Sequence, residues 1–194
     1  MLPYGVGDSL YRSRVIKYDV ITLQETKGRK ETVRKTDHNE LLVIGARVEN
    51  RDIGGVGFLI NSTVQHLVDS LESTSPPLAI LRLRTKGQGV ISIINGYAPT
   101  SAATDGERKD FYQLLEKTVR EKKSYAKFVV GDFNAIVGTN CNDDWRLGPY
   151  GSTTRSENGR RLLRNFTFAC RLLRGNSTFE KPADRRWTGK VRMG

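Results

Sequence analysis

Two cysteines and two histidines are all that 194 residues contain. Cys141 and Cys170 make no disulfide framework, and with only His38 and His66 beside them they make no soft-metal centre either. This points to a reducing compartment. No apolar run approaches the length of a membrane span. The opening MLPYGVGDSLYRSRV lacks the uninterrupted apolar core of a secretory signal. The expectation is an intracellular protein, nuclear or cytoplasmic and not secreted, with no membrane partner. The Asn-x-Ser/Thr sequons at Asn61, Asn165 and Asn176 then carry no meaning. Internal repeats and low-complexity linkers are also missing, so residues 1–194 read as a single domain.

Acidic residues run short in one place. Residues 1–144 hold 20 Lys and Arg against 18 Asp and Glu, whereas residues 145–194 hold 12 against 3, ten of the twelve being Arg. That local excess carries most of the net charge of +11. It favours a polyanion partner, because guanidinium groups meet phosphates in bidentate fashion. A solvated basic face is the plainer alternative.

Strand and helix patterns interleave. A short helix is expected around 10–18, a buried strand at 19–26, and a charged loop at 27–40. Strands follow at 41–48 and 54–60 around a polar turn at 49–52, and a hairpin at 78–85 and 90–98 crosses a Lys-Gly-Gln-Gly turn. Thr104-Asp105-Gly106-Glu107 has the form of a capping box. It opens a helix whose Phe111, Leu114, Leu115 and Val119 share a face. A strand at 127–131 comes next, with Phe128, Val129 and Val130 suited to burial. A last helix at about 158–174 would turn Leu162, Phe166, Cys170 and Leu173 inward and leave Arg160, Arg161, Arg164 and Arg171 exposed. The class is layered α/β with mixed sheets.

Three apolar strands end in residues that carry chemistry: ITLQE at Glu25, IINGYAP at Tyr97, and VVGDFN at Asp132 and Asn134. If these ends are neighbours, two carboxylates, a phenol and a carboxamide meet on one rim. Carboxylates without histidine or cysteine clusters suit a hard divalent cation whose shell is completed by substrate phosphate. Such an ion offsets charge as a phosphodiester is attacked. Residues i and i+2 of an extended chain project to one side, which would let Asp132 and Asn134 address the same phosphate while Phe133 turns into the core. Taken singly, each feature is also consistent with a solvated strand end, a packed aromatic or an Asp/Asn turn.

Together, LQET at 23–26, NGYAPT at 95–100 and GDFNAIVG at 131–138 resemble the endonuclease/exonuclease/phosphatase superfamily, with its DNase I-like sandwich of two mixed sheets flanked by helices. Within it the chain resembles the endonuclease domain of LINE-type retrotransposons of the RTE/BovB kind. GPYGSTTRSENGRRLL at 148–163 and NSTFEKPADRRWT at 176–188 extend that likeness to nearly the whole chain from about residue 10. The resemblance implies that Glu25 is a ligand for Mg²⁺ (or Mn²⁺) and that Tyr97 lies near the scissile phosphate. It further implies that Asp132 orients or deprotonates the attacking water and that Asn134 holds the phosphate. Arg155, Asn158, Arg160 and Arg161 would contact nucleic acid. DNA is the implied partner, no small organic cofactor is expected, and a full element would carry a downstream reverse-transcriptase domain.

Against the family pattern, the first strand with its metal-binding Asn and the C-terminal Asp-His segment are missing. Neither His38 nor His66 stands in a matching motif, and both read as surface or loop residues. The expectation is a DNase I-like domain truncated at both ends. Three functions follow: a Mg²⁺-dependent DNA endonuclease of retrotransposon origin, weakened or silenced by the loss; a non-catalytic nucleic-acid-binding remnant; and, with least support, a small-molecule or lipid phosphodiesterase or phosphatase.

Overall fold

The computed structural model describes residues 16–47, 54–138, 147–152, 154–167, 170–172, 174–178 and 180. Within the single domain expected over 1–194, two compact units form, Met1–Asn134 and Ala135–Gly194.

The first unit holds two four-stranded sheets. β1 (Val20–Gln24), β2 (Thr32–Lys35), β3 (Leu41–Ile44) and β4 (Val56–Ile60) make one, in the order β1-β4-β3-β2 and antiparallel throughout. β5 (Val68–Ser75), β6 (Leu78–Thr85), β7 (Gly89–Tyr97) and β8 (Ala126–Asp132) make the other in sequential order. Its last pair, β7 and β8, is parallel. A parallel pair needs a crossover connection, and α1 (Asp105–Glu121) supplies it.

Period-two alternation puts Val43, Val56, Phe58 and Ile60 of the first sheet against Ala79, Leu81 and Leu83 of the second. On the other face of the first sheet, Leu23, Leu42, Ile44 and Leu59 form a second cluster with Tyr18 and Ile21. α1 begins as its capping box requires. Thr104 Oγ1 accepts from the Glu107 amide at 3.2 Å, and Glu107 Oε2 accepts from the Thr104 amide at 2.8 Å. Removing such a cap typically costs about 1 kcal/mol. The helix buries Phe111, Tyr112, Leu115 and Val119.

In the second unit, Val137, Leu147 and Leu163 form a small core. Ser156 ties two of its loop segments together. The Ser156 amide donates to Ile136 O and its hydroxyl accepts from the Ile136 amide, both at 2.9 Å. The same hydroxyl caps α2 (Glu157–Arg161) by accepting from the Gly159 amide at 3.1 Å.

The structure departs from the sequence pattern in five places. Residues 32–35, expected within a loop, pair with β3 as an edge strand. β5 is a strand that the pattern did not announce. Phe128, expected in the core, is 54% exposed on β8. The helix expected over 158–174 is α-helical only to Arg161. It then widens into a π-helical turn over Leu162–Thr167, where Thr167 Oγ1 donates to Leu162 O at 2.8 Å. A hydroxyl that takes a helix carbonyl in this way competes with the regular ladder. The chain then turns, with Arg171 at φ 54°; the side chains of Phe166 and Leu173 lie outside the described residues. Of the helix expected at 10–18, residues 16–18 are not helical and the remainder lies outside the described residues.

Candidate active site

β1 ends at Gln24, and the chain turns sharply through Glu25 and Lys27, at φ 53° and 52°. Two amides hold this corner. Thr26 N donates to Gly55 O and Lys27 N to Gly54 O, each at 3.1 Å. Gly54 and Gly55 both have positive φ, 87° and 84°, which lets the backbone come close. A Cβ on Gly55 would stand 2.6 Å from Thr26 Oγ1. Glu25 faces solvent, with its side chain about half exposed and Lys27 Nζ 3.8 Å from Oε1.

Tyr97 and Asp132 close the adjacent ends of β7 and β8, where the parallel register sets them side by side. Beyond β8 the chain bends at once. Asn134, at φ 45°, donates its amide to Asp132 Oδ1 at 2.9 Å. Ala98 locks the bend from both sides. Its amide donates to Asp132 O at 2.8 Å, and its carbonyl accepts from Asn134 Nδ2 at 2.8 Å. Phe133 turns inward as expected, its ring 6.5 Å from that of Phe111. Asp132 and Asn134 therefore meet through an Asx-type turn and not through the strand alternation expected, because the extended chain stops at Asp132.

The phenol of Tyr97 is held above the usual tyrosine range. Burial is the main cause, and the charges of Glu25 and Asp132 act in the same direction; a hydrogen bond with the Asn134 side chain opposes them. Tyr97 is thus a protonated donor at neutral pH, within electrostatic reach of both carboxylates. The Asn134 carboxamide serves Ala98 and Tyr97, so it positions the phenol. Glu25, Lys27 and Asn134 are three of the five non-glycine residues with positive φ among the described residues. Backbone strain of this kind costs roughly 1–3 kcal/mol per residue and gathers where geometry is held for a purpose.

Asn95, not anticipated as a site residue, ties the two sheets together beneath this rim. It is 0% exposed. Its Nδ2 donates across to Leu23 O at 3.0 Å and Gly57 O at 2.8 Å, and its Oδ1 accepts from Gln24 Nε2 at 2.7 Å. One side chain thereby fixes the strand that ends in Tyr97 against the strand that leads to Glu25. The signal was an amide inside an otherwise apolar strand, where burial is tolerated only when hydrogen bonds are satisfied. Gln24→Leu removes one of these bonds, so a loss of about 1–2 kcal/mol is expected in denaturant unfolding. A midpoint unchanged from the wild type would show that the tie is slack.

Among the described residues no three of His, Cys, Asp and Glu gather as a metal cage. The donors present are carboxylate, phenol and carboxamide oxygens, with Glu25 open to solvent. They fit a hard ion that takes one or two carboxylates and keeps water and phosphate for the rest of its shell. His38, in the β2–β3 turn, and His66, in a 3₁₀ helix at Gln65–Leu67 after β4, are both exposed and lie at the end of the first sheet opposite Glu25.

The residues expected to meet nucleic acid differ in access. Arg155 is exposed and donates Nε to Val137 O at 2.6 Å. Arg160 is exposed, with Glu157 at 3.0 Å. Asn158 is buried, and the Arg161 side chain is largely covered with Glu157 at 3.5 Å, so neither presents a free face. Arg174, which the charge pattern did not single out, has a buried Nη1 with no acceptor among the described residues. Its guanidinium is held below the usual range by burial and by the charge of Arg155.

A family model described as the Endonuclease/Exonuclease/phosphatase family matches residues 6–185. The chain belongs to this family. Craniofacial development protein 2 from Tragulus javanicus is 28% identical over 174 residues, and that from Bos taurus 27% over 174. Each alignment takes in 89% of the chain but only 29% and 28% of the relative, so the chain spans under a third of these curated relatives. Among solved structures, the catalytic domain of Xenopus laevis APE2 superposes with a TM-score of 0.54 at 16% identity. It covers 84% of this chain and 62% of that one. The fold is the DNase I-like α/β sandwich.

Proposed function

We propose that the chain is the nuclease part of a Mg²⁺-dependent endonuclease of LINE-type retrotransposon descent, hydrolysing phosphodiester bonds in DNA. The observation that carries this reading is the parallel register that sets the Tyr97 phenol beside Asp132 at the adjoining ends of β7 and β8, with Glu25 in electrostatic reach of the same phenol. In the reaction, a water oxygen attacks phosphorus and its proton passes to Asp132, while the bond from phosphorus to the leaving oxygen breaks and that oxygen takes a proton from solvent. The Tyr97 hydroxyl donates to a phosphate oxygen as negative charge builds there. Asn134 holds that hydroxyl in place. Glu25 would hold the divalent ion, which would supply charge neutralisation at the phosphate when bound. The exposed guanidinium groups of Arg155 and Arg160 suit contacts with the phosphates of the DNA backbone.

A second reading, nucleic-acid binding without cleavage, is favoured by one observation. Lys27 Nζ already stands 3.8 Å from the Glu25 carboxylate, where it competes with a metal ion for that charge. Conversion of supercoiled plasmid to nicked circles in Mg²⁺ or Mn²⁺ separates the two. Nicking by the wild type is expected, with Glu25→Gln needing at least about tenfold more metal for the same rate. Equal silence of both proteins, with salt-sensitive DNA binding retained, would leave only the binding reading.

A further inference from the structure

Between Glu25 and β3 the chain carries five cations and one acid in nine residues, KGRKETVRK at 27–35. Lys27 is engaged with Glu25. The other four, Arg29, Lys30, Arg34 and Lys35, are all exposed. None has an ion-pair partner among the described residues. A solvated face would account for the charge but not for where these cations lie.

The sheet order β1-β4-β3-β2 and the antiparallel registers bring the end of β1, the start of β4, the end of β3 and the start of β2 to one rim. Residues 25–31 run along that rim, from the Glu25 corner to the sheet's outer edge. They are pinned on the way. Lys27 N donates to Gly54 O before β4, and Gly28 O accepts from the Arg47 amide at 2.7 Å beyond β3. Gly28 sits so close that a Cβ there would stand 2.6 Å from Ile44 Cγ2. The crossing is thus a fixed base, and the cations on it point away from a packed surface.

β2 then carries the charge outward. All four of its residues are exposed, Val33 included at 58%, so the strand contributes little to either apolar cluster. Three inter-strand spacings of about 4.8 Å separate β1 from β2, roughly 14 Å in all. Successive phosphates of one strand lie farther apart through space than the ~3.4 Å rise, because the strand also winds about the axis. With the further ~10 Å from Thr32 to Lys35 along β2, the path is long enough for about three or four phosphates.

We infer that Arg29, Lys30, Arg34 and Lys35 form a track for the phosphate backbone of the bound DNA, leading away from Glu25 along the rim of the first sheet through Arg29 and Lys30 and then down its edge strand β2 to Arg34 and Lys35. The inference rests on the endonuclease reading for the identity of the polyanion. Such a track positions the strand and reads no base sequence.

The test uses the full chain and a fluorescent DNA duplex, in EDTA so that no cleavage intervenes. Anisotropy titrations are run between about 50 and 200 mM salt. Neutralising the track with Arg29→Gln, Lys30→Gln, Arg34→Gln and Lys35→Gln is compared with an equal charge change at exposed lysines elsewhere in the same unit: Lys86→Gln, Lys109→Gln, Lys117→Gln and Lys123→Gln. Every phosphate that the protein no longer neutralises lowers the slope of log affinity against log salt by about 0.9. The track variant is expected to lose about two to three and a half in slope, and the control less than one. The pair Arg34→Gln with Lys35→Gln alone should lose one to two, which keeps the result readable should the fourfold variant melt early. Equal losses in track and control, or an unchanged slope in both track variants, overturn the inference. Plasmid nicking with an unchanged slope would overturn the track and leave the endonuclease reading standing. Absence of any salt-sensitive binding by the wild type overturns both the track and a DNA substrate.

Discussion

Changing Asp132 to asparagine is expected to lower the rate of phosphodiester cleavage by ~10²–10⁴-fold while leaving the fold intact. That is the usual contribution of a positioned acid–base group. The choice of asparagine matters. Asp132 Oδ1 accepts the Asn134 amide at 2.9 Å, and that bond supports a residue at φ 45°. A carboxamide keeps an oxygen acceptor in the same position and loses only the charge and the basicity. Asp132→Ala removes the acceptor as well, so it should add about 1 kcal/mol of instability to a similar loss of rate. Single-turnover cleavage, read beside thermal unfolding of each variant, separates the two effects. Full activity in Asp132→Asn would remove this carboxylate from the chemistry and return it to the role of turn former.

The same turn shows why part of the site was legible before the fold was known. Strands that end in carboxylate, phenol and carboxamide announce themselves, since those groups have no reason to follow an apolar run except to face solvent or a ligand. Where they meet is a matter of register, and the pairing of Tyr97 with Asp132 follows from a parallel pair that the helix between the two strands allows but does not dictate. How Asp132 and Asn134 meet was not legible. Strand alternation and an Asx turn both bring i and i+2 together, and only the bond from the Asn134 amide to Asp132 Oδ1 decides between them.

Other misses have physical causes of the same kind. VDSLESTS forms β5 although it is mostly polar, because one face of an outer strand needs few apolar residues; Val68 and Leu71 suffice against the inter-sheet cluster. TVRK forms β2 with little apolar burial, held by its ladder to β3. Apolar spacing promised a long helix after residue 157, whereas the ladder widens after Arg161 and the Thr167 hydroxyl takes the Leu162 carbonyl. Asn95 was visible as a letter, but its three partners come from two strands more than thirty residues away in sequence. Tertiary hydrogen bonds of that reach leave no periodic trace.

The glycine of GDFN is the place where fold and site are most tightly bound together. Gly131→Ala is expected to destabilise the protein by roughly 2–5 kcal/mol, from left-handed strain and overpacking combined. Gly131 stands at φ 138°, a conformation that side chains rarely adopt. A Cβ built there would meet the backbone of Gly96, its carbonyl carbon and amide nitrogen both at 2.8 Å and its oxygen closer still. Gly96 and Gly131 are register partners in the parallel pair, one step before Tyr97 and Asp132. Gly96 cannot retreat easily, since Leu78, Phe111 and Phe133 crowd its other side within 3.3–3.5 Å of where its own Cβ would be. The strands must therefore separate, and separation moves Asp132 away from Tyr97. At about 2–4 °C per kcal/mol for a chain of this size, the melting temperature should fall by roughly 4–20 °C, and cleavage by the protein that remains folded should fall as well. Gly87→Ala is the matched control. It also has a positive φ, 80°, with nothing within 4 Å, so it should cost only about 1 kcal/mol and leave cleavage unchanged. Equal melting temperatures for the two variants would show that β7 and β8 yield without loss, and that Gly131 is not what holds Asp132 at the rim.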